Sequence, residues 1–342
     1  MNYLFLITIF LGFQSAALAQ TPEFKGLDLY GSSQITLEQV QQKLGDKITK
    51  FAESYSKKEY DTAENLHKEI ITEIRQMGQF AHIELSTIIY YTQPQSLYLT
   101  IDLVDEKDRA ERMTFLPDPT KEFADPDGLF KLWQEYEKAG FELLSKGELK
   151  STMPECPVLH CLFGFDHPAL KKYLEAFNNG AAKYKATLIQ IIREDKDPEH
   201  RAYAAFVLAH LNDVNAVVNA MLPAIPDRHS AVRNNAMRVL AFIAERRKDA
   251  DVPLDPILKA INYPTTTDRN KSLYILSGLA DNPKNKKAIT EKAGTLLLKL
   301  LRLNQLNNHD PAYSVLKKIS GKEFGERDYK AWEDWLKSEL KN

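Results

Sequence analysis

Two cysteines and two histidines lie close together near the middle of this 342-residue chain. Cys156, His160 and Cys161 fall within six residues, and His167 follows six residues later. Thiolate and imidazole groups are zinc ligands, and two thiols can also form a disulfide. Four residues separate the cysteines, so the chain has neither the Cys-x-x-Cys spacing of thiol redox centres nor the Cys-x-x-Cys-His spacing of haem attachment.

Three interpretations of this loop follow. A disulfide between Cys156 and Cys161 is favoured, because it suits a short loop in an exported protein. Metal binding by Cys156, Cys161, His160 and His167 is the second, although the spacing matches no standard zinc pattern. Free thiols packed in a core are the third. The loop is therefore expected to stabilise the fold, with no catalytic residues and no cofactor assigned.

Other catalytic signatures are absent from the sequence. It contains no His-Glu-x-x-His metal motif, no phosphate-binding glycine loop, no dinucleotide fingerprint and no Gly-x-Ser-x-Gly elbow. None of the eight histidines is followed by glutamate, which excludes the paired His-Glu dipeptides of some iron enzymes. We therefore predict a protein that is not an enzyme.

The charge composition argues against a nucleic-acid partner and against a polytopic membrane protein. The chain has 45 Lys and Arg against 47 Asp and Glu, so its net charge is −2, and 44% of its residues are hydrophobic. Nucleic-acid binders concentrate basic residues, so no nucleic acid is expected. Charged residues make up 27% of the chain, which excludes a polytopic membrane protein.

The N-terminus resembles a secretory signal. An apolar run from Tyr3 to Phe13 is followed by Ala17-Leu18-Ala19, which predicts a signal peptide over 1–19 with cleavage before Gln20. The run is too short to span a bilayer, and no second one follows, so we expect no transmembrane segment in the mature chain. A buried helix is the alternative. The expected location is the periplasm, with secretion as the other outcome.

Residues 24–106 predict a small α/β domain. Leu27 and Leu29 indicate a first strand, and capping boxes at Thr36 with Gln39 and at Asp61 with Glu64 indicate two helices. The apolar period then changes from 3.6 to 2. The positions that follow the strand period are Ile83, Leu85, Ile89 and Tyr91, and then Leu97, Leu99, Ile101 and Leu103.

This order of strand, helix, helix, strand, strand, with Gly78-Gln79-Phe80 before the alternating strands, resembles a POTRA domain, the polypeptide-transport-associated module. A generic two-layer α/β domain is the alternative. The resemblance implies that a peptide binds by adding a strand to a sheet edge. The edge residues it points to are Ile83, Leu85, Ile89 and Tyr91.

Residues 107–185 predict a linker followed by a helical segment. Proline and aspartate are frequent between Leu116 and Gly128, which favours a connection and a domain boundary. The helical pattern that follows contains Trp133 and Phe141, which are expected to be packing residues.

Residues 186–342 contain an internal repeat. Three positions recur at helical spacing, a small residue and then two apolar residues, so each unit is predicted to be a helix pair that stacks on the next. The small residues are Ala204, Ala236, Ser272 and Ala312; the apolar residues are Leu208, Leu240, Leu276 and Leu316, then Leu211, Ile243, Leu279 and Ile319. Trp332 and Trp335 are expected to cover the end of the array.

The second unit carries Asp227, Val232, Arg233 and Ala236, which resemble the HEAT-repeat signature. Arg201 and Arg269 occupy the place of Arg233 in the flanking units. The resemblance implies an interaction scaffold. These arginines are expected to pair with carboxylates between repeats, with partner binding as the alternative.

Together these patterns predict an α+β multidomain protein, a small POTRA-like domain followed by an all-α HEAT-like solenoid. We expect a non-catalytic scaffold or adaptor for protein partners in the cell envelope, in assembly or secretion. One rival is a metal- or thiol-dependent enzyme, or an enzyme's regulatory subunit, that uses the loop from Cys156 to His167. Another is an envelope protein that associates with itself through the sheet edge.

Overall fold

A computed structural model describes residues 21–90, 94–149, 156–247 and 249–341, together with the backbone of 7–9. The predicted signal peptide over 1–19 therefore lies outside the described residues except for that short stretch. The predicted edge residue Tyr91 also lies outside them.

The first part of the chain forms a mixed sheet covered by two helices. Its elements are β1 (Ile7–Ile9), β2 (Glu23–Tyr30), α1 (Leu37–Ser56), α2 (Tyr60–Arg75), β3 (Phe80–Tyr90) and β4 (Ser96–Asp105). The strands lie in the order β1-β3-β4-β2, with β4 antiparallel to β3 and parallel to β2. From β2 onward this is the predicted order of strand, helix, helix, strand, strand, which is confirmed.

Of the two capping boxes predicted from the sequence, the structure contains the one at the start of α1 but not the one at the start of α2. Thr36 and Gln39 form the predicted capping box of α1, each side chain bonding the other residue's backbone N–H. The predicted capping box of α2 is wrong, because the helix begins at Tyr60, before Asp61 can act as its cap. Asp61 lies in the first turn instead, where its negative charge interacts favourably with the positive end of the helix dipole.

Strand β4 is buried on both faces. Leu97, Leu99, Ile101 and Leu103 pack against α1 and α2, as their alternation predicts. The side chains between them point to the other face of the sheet, where Asp102 is fully buried. A buried carboxylate needs partners, and here the helices of the second half of the chain supply them.

The remaining elements are helical. They are α3 (Arg109–Arg112), α4 (Leu129–Ser145), α5 (Pro168–Lys183), α6 (Lys185–Glu194), α7 (Pro198–Leu208), α8 (Val214–Met221), α9 (Ser230–Arg246), α10 (Leu254–Ala260), α11 (Thr266–Leu279), α12 (Pro283–Leu301), α13 (Leu306–Ser320) and α14 (Tyr329–Glu339). Helices α7, α9, α11 and α13 pack side by side in a row, and α6, α8, α10 and α12 precede them, so the helices form an α-solenoid.

The repeat register identified in the sequence falls on this row. The small residues Ala204, Ala236, Ser272 and Ala312 are all fully buried, one on each helix. Gly278 adds a close approach that the register did not include, since a Cβ there would lie 2.6 Å from the backbone carbon of Ala244. Small side chains therefore set the spacing between α9 and α11.

The helical part of residues 107–185 shares the solenoid core. Trp133 on α4 is fully buried, and its ring lies 5.1 Å from the ring of Phe206 on α7 and 5.2 Å from that of Phe177 on α5. Phe141, also predicted to pack, lies 4.9 Å from the ring of Phe163, although 48% of it is exposed. At the other end Trp332 and Trp335 are buried beside α12, as predicted for the end of the array.

The connection between sheet and α4 runs across the repeats. The N–H of Leu116 donates to the carbonyl of Pro226 (2.8 Å), and further along the N–H of Lys196 donates to the carbonyl of Lys121 (2.6 Å). The Phe115 ring lies 5.0 Å from that of Tyr263. The chain thus passes backward along the solenoid before entering α4.

The polar face of the sheet joins the solenoid at α11 and α13. Asp102 on β4 pairs with Arg269 on α11 (2.5 Å), and both side chains are fully buried. Asp28 on β2 accepts from the N–H groups of Asn304 and Gln305, at 2.9 Å each. These contacts join the N-terminal sheet to the last repeats, although 167 residues separate Asp102 and Arg269.

Because the buried pair of Asp102 and Arg269 joins the sheet to the solenoid, we expect Asp102→Ala to lower the stability of the protein strongly. Removing one member of a buried ion pair leaves the other charge unpaired, so we expect a loss of about 3–5 kcal/mol in the free energy of unfolding. Asp255→Ala is the matched control, because Asp255 pairs with Lys292 at the exposed surface and its loss should cost less than about 1 kcal/mol. Urea denaturation measures both.

A double variant, Asp102→Leu with Arg269→Met, should recover much of that loss because no unpaired charge remains. Equal stability of Asp102→Ala and Asp255→Ala would contradict the assignment of this ion pair as the junction.

Candidate functional site

The outer edge of β3 is the surface to which the sequence pointed for a partner. β4 occupies the inner side of β3 along its length, and β1 pairs in parallel with Ile88–Tyr90 on the outer side. From Phe80 to Thr87 no strand among the described residues pairs with that outer side. Such an edge presents unpaired N–H and C=O groups to an added strand.

The direction of these backbone groups follows from a contact on the neighbouring strand. Arg112 donates to the carbonyls of Gly31, just after β2, and of Leu103 on β4, so Leu103 faces β2. The next residue, Asp102, therefore faces β3, where it is paired with Glu84. Backbone groups of an antiparallel strand alternate between its two neighbours. Leu85 faces outward, and so do Ile83, Thr87 and Ile89.

The predicted edge residues therefore contribute backbone groups to the edge, whereas their side chains lie with the helices. Leu85 is buried in the core between sheet and helices, and Ile83 and Ile89 are partly buried against it. A strand added here would be bound through the main chain. Burial lowers the pKa of His67, and Glu84 partly opposes this.

The three predicted arginines form a ladder between repeats. Arg201 on α7 makes two bonds to the carboxylate of Asp227, at 2.8 and 2.9 Å. Arg233 on α9 repeats this arrangement with Asp268, at 2.8 Å for each bond. Each of these arginines therefore binds the carboxylate of the next repeat in the bidentate geometry that guanidinium groups favour.

Arg269 stands third in the ladder and finds a different partner. The equivalent position beyond it holds Asn308, whose side-chain oxygen accepts from Arg269 Nε at 3.0 Å. The carboxylate comes from Asp102 of the sheet instead. The sheet therefore takes the place that a further acidic repeat would occupy.

Aromatic rings cover the guanidinium groups. Arg233 lies 4.3 Å from the centre of the Phe115 ring, and Arg269 lies 4.2 Å from that of Tyr30. All three ladder arginines are almost fully buried. The three arginines therefore connect the repeats, the linker and the sheet. Little of their side-chain surface is accessible to a partner.

The cysteine loop is closed by a disulfide between Cys156 and Cys161. His160 is buried, with its ring stacked on Phe206 at 4.8 Å, and burial holds the pKa of His160 well below its usual range. His167 caps α5 by accepting from the N–H of Ala169 at 3.2 Å. The four residues thus have separate structural contacts, and no metal-binding group of three or more such side chains occurs in the described part of the chain.

Two basic residues that no sequence motif singles out lie on the neighbouring helices α9 and α11. Lys271 on α11 is 7% exposed, and Arg238 on α9 is close enough to lower the pKa of Lys271. The repeat register holds a signal for them, because Lys271 precedes the small residue Ser272 and Arg238 follows the small residue Ala236 by two positions. Both positions adjoin the buried column of the repeat.

The disulfide predicts a modest contribution to stability. Replacing both Cys156 and Cys161 by serine should lower the free energy of unfolding by about 2 kcal/mol, since the loop that the bond closes is short. Adding a reductant to the unaltered protein should produce a similar loss, measured by thermal unfolding, and leave the serine variant unaffected. A reductant-insensitive wild type would contradict the bond.

The comparisons with known proteins agree with the helical repeats. Residues 186–284 match the family of HEAT repeats. No curated protein matches the chain. Among the described residues, no helix has the length and apolar character needed to cross a membrane. HEAT repeats typically mediate protein–protein interactions, and this chain contains an α-solenoid of HEAT-like repeats joined to an N-terminal sheet.

Proposed function

We propose that this protein is a non-catalytic adaptor of the cell envelope, in assembly or secretion, that captures an extended segment of a protein partner at the outer edge of β3. The observation that carries the proposal is the row of outward backbone groups at Ile83, Leu85 and Thr87, with no strand of the described chain paired to it. Main-chain bonds give affinity in such complexes, and pockets for alternate side chains give selectivity.

The edge accepts a strand in the chain itself. Ile7–Ile9 pairs with Ile88–Tyr90 as a parallel strand, so the backbone there has the geometry that strand addition requires. On the proposal, removal of residues 1–19 on export frees these positions. The two helices over a mixed sheet support the resemblance to a POTRA domain, from which this mode of binding is inferred.

The solenoid gives the edge a rigid support. The sheet is held to α11 and α13 by buried polar contacts, so β3 lies on a fixed frame. A preformed edge avoids part of the ordering cost of binding. A disulfide between Cys156 and Cys161 also suits an oxidising compartment such as the periplasm.

Thr87→Pro tests strand addition directly. Its N–H faces outward, so proline removes a donor for the partner without removing a bond to β4, and edge strands tolerate proline. The hydroxyl of Thr87 is buried without a hydrogen-bond partner, so its loss is harmless. Thr87→Val is the matched control, because it keeps the N–H.

A photoreactive residue at His82, whose side chain lies on the face of β3 away from α1 and α2 and is 24% exposed, should capture a discrete envelope or secretion protein in intact cells. Thr87→Pro should reduce that capture about tenfold, because the partner strand loses one main-chain hydrogen bond and the proline ring obstructs its approach. Thr87→Val should leave the capture unchanged. The same probe at Lys25, on the opposite edge of the sheet, should capture little. Capture that is equal in the proline and valine variants would refute binding by strand addition, and capture of a second copy of this chain would favour self-association.

Export makes a separate prediction. Intact-mass measurement of the protein recovered from the envelope should show a chain that begins at Gln20, because the signal peptide is cleaved after Ala19. Replacing Ala17 and Ala19 by bulky residues should block cleavage. Recovery of the full-length chain from the cytoplasm alone would contradict an envelope function.

A further inference from the structure

Glu84 places a negative charge on the open edge strand β3. It is paired with Asp102 of β4, so both side chains lie on the face of the sheet toward the solenoid. His82 lies on the same face, and 40% of the Glu84 side chain is exposed. Ile88, further along this face, is fully buried. The surface is therefore open beside His82 and Glu84 and closed beside Ile88.

The hydrogen bonds that Glu84 accepts within the chain are long. His82 Nε2 lies 3.3 Å from Glu84 Oε2, and the Ser86 hydroxyl oxygen lies 3.4 Å from Glu84 Oε1. Both distances exceed the range of strong hydrogen bonds, and His82 forms an ion pair with Glu84 only when it is protonated. No lysine or arginine of the described chain forms an ion pair with Glu84. Its carboxylate therefore keeps acceptor sites for a cation.

The charge of Glu84 is not balanced by its surroundings. Burial raises the pKa of Glu84, but hydrogen bonding and nearby cations outweigh burial and hold the pKa below its usual range, so the carboxylate is ionised at neutral pH. Two of those cations, Arg269 and Arg233, already pair with Asp102 and Asp268. Each of these pairs is neutral as a whole. Glu84 therefore contributes a net negative charge at this edge.

A strand added to this edge would place one of its residues beside Glu84. The backbone of Glu84 faces β4 and that of Leu85 faces outward, so an antiparallel strand would bond to Leu85 and leave its residue opposite Glu84 in a pair without direct hydrogen bonds. Side chains approach most closely in such pairs, with Cβ atoms about 4.5–5.5 Å apart. The side chain opposite Glu84 would point to the same face and reach its carboxylate.

The residues before and after that position would point to the helices. On this side Leu85 is buried in the core between sheet and helices, whereas Ile83 on β3 and Ile71 on α2 are only partly buried against it. Apolar side chains in the added strand would cover apolar surface that water now reaches. The two faces of the edge therefore favour different residue types.

We propose that the segment bound at the edge of β3 carries a lysine or arginine opposite Glu84, with an apolar residue on each side of it. Opposite charges that face each other on neighbouring strands stabilise the pair, and like charges destabilise it. The edge thus selects among extended segments by charge as well as binding their main chain. This inference rests on the strand addition proposed above.

Selection from a peptide library tests the preference. The probe is a phage-displayed library of random peptides of about ten residues, long enough to form one strand, selected on the purified protein. The unaltered protein should enrich peptides in which lysine or arginine lies between two apolar residues, and Glu84→Lys should enrich aspartate or glutamate at that position. Glu339→Lys makes the same change of charge at an exposed position of the last helix, so it should keep the preference for a basic residue.

The affinity of one selected basic peptide, measured by fluorescence polarisation, gives the size of the effect. Glu84→Gln should weaken binding about threefold and Glu84→Lys about tenfold, because the first removes an attraction and the second adds a repulsion. Glu84→Lys should also bind the acidic version of that peptide more tightly than the unaltered protein does. That gain shows that the variant is folded.

The outcomes separate this inference from the strand addition on which it rests. Peptides whose enrichment is lost in Thr87→Pro and retained in Thr87→Val, but which show no basic residue or the same basic residue with Glu84→Lys, would overturn the charge preference and leave strand addition intact. No enrichment, or equal enrichment by Thr87→Pro and Thr87→Val, would overturn both.

Discussion

The buried ion pair between Arg269 and Asp102 determines how the two halves of this protein are arranged. Two ionised groups inside a protein are tolerated only when their hydrogen bonds are satisfied. Arg269 meets this condition with the carbonyl of Pro264, the amide of Asn308 and the carboxylate of Asp102. Asp102 in turn accepts from Thr266 at 2.7 Å. Burial raises the pKa of Asp102 and Arg269 opposes that effect, so each group requires the other.

The arrangement also explains the path of the chain. The sheet comes first in sequence but is bound to the later repeats, so the connection must return along the solenoid before the repeats begin. It does so over the arginine ladder, where Phe115 lies on Arg233 and Arg112 donates to carbonyls of Gly31, Leu103 and Asn262. Gly31 has a φ of +90°, and a Cβ there would lie 2.7 Å from Arg112 Nη1, so glycine is needed at this turn. A linker with many specific contacts behaves as part of the fold.

The features that could be predicted from the sequence are those set by local residue patterns. The alternation in β4, the capping box at Thr36 and the small residues of the repeats each reflect contacts within one element or between adjacent elements, and the structure confirms them. The docking of sheet on solenoid was not predicted, because Thr100 and Asp102 alternate with the apolar residues of β4, a pattern typical of a strand with one face in solvent. Only the tertiary fold places α11 against that face.

The candidate sites likewise include residues that sequence patterns located and residues that only the tertiary structure reveals. The repeat register located Arg201, Arg233 and Arg269, and their inter-repeat contacts follow from the HEAT-like pattern. Lys271 gave no signal by itself, since a lysine in a helix is ordinarily solvated. Its burial depends on the packing of α9, α11 and α13 around it. The edge of β3 was identified from the order of elements, whereas the outward direction of its backbone at Leu85 needed the contacts of Arg112 with Gly31 and Leu103.

Hydrogen exchange of individual backbone amides under increasing denaturant tests the central claim, that sheet and solenoid form one cooperative unit with an open edge on β3. The account predicts that amides of β4 and α11 lose protection together in the global unfolding event. The outward amides of Ile83, Leu85 and Thr87 should exchange without that event. Loss of protection in β4 at a lower free energy than in α11 would contradict the account, because the sheet would then unfold independently of the solenoid.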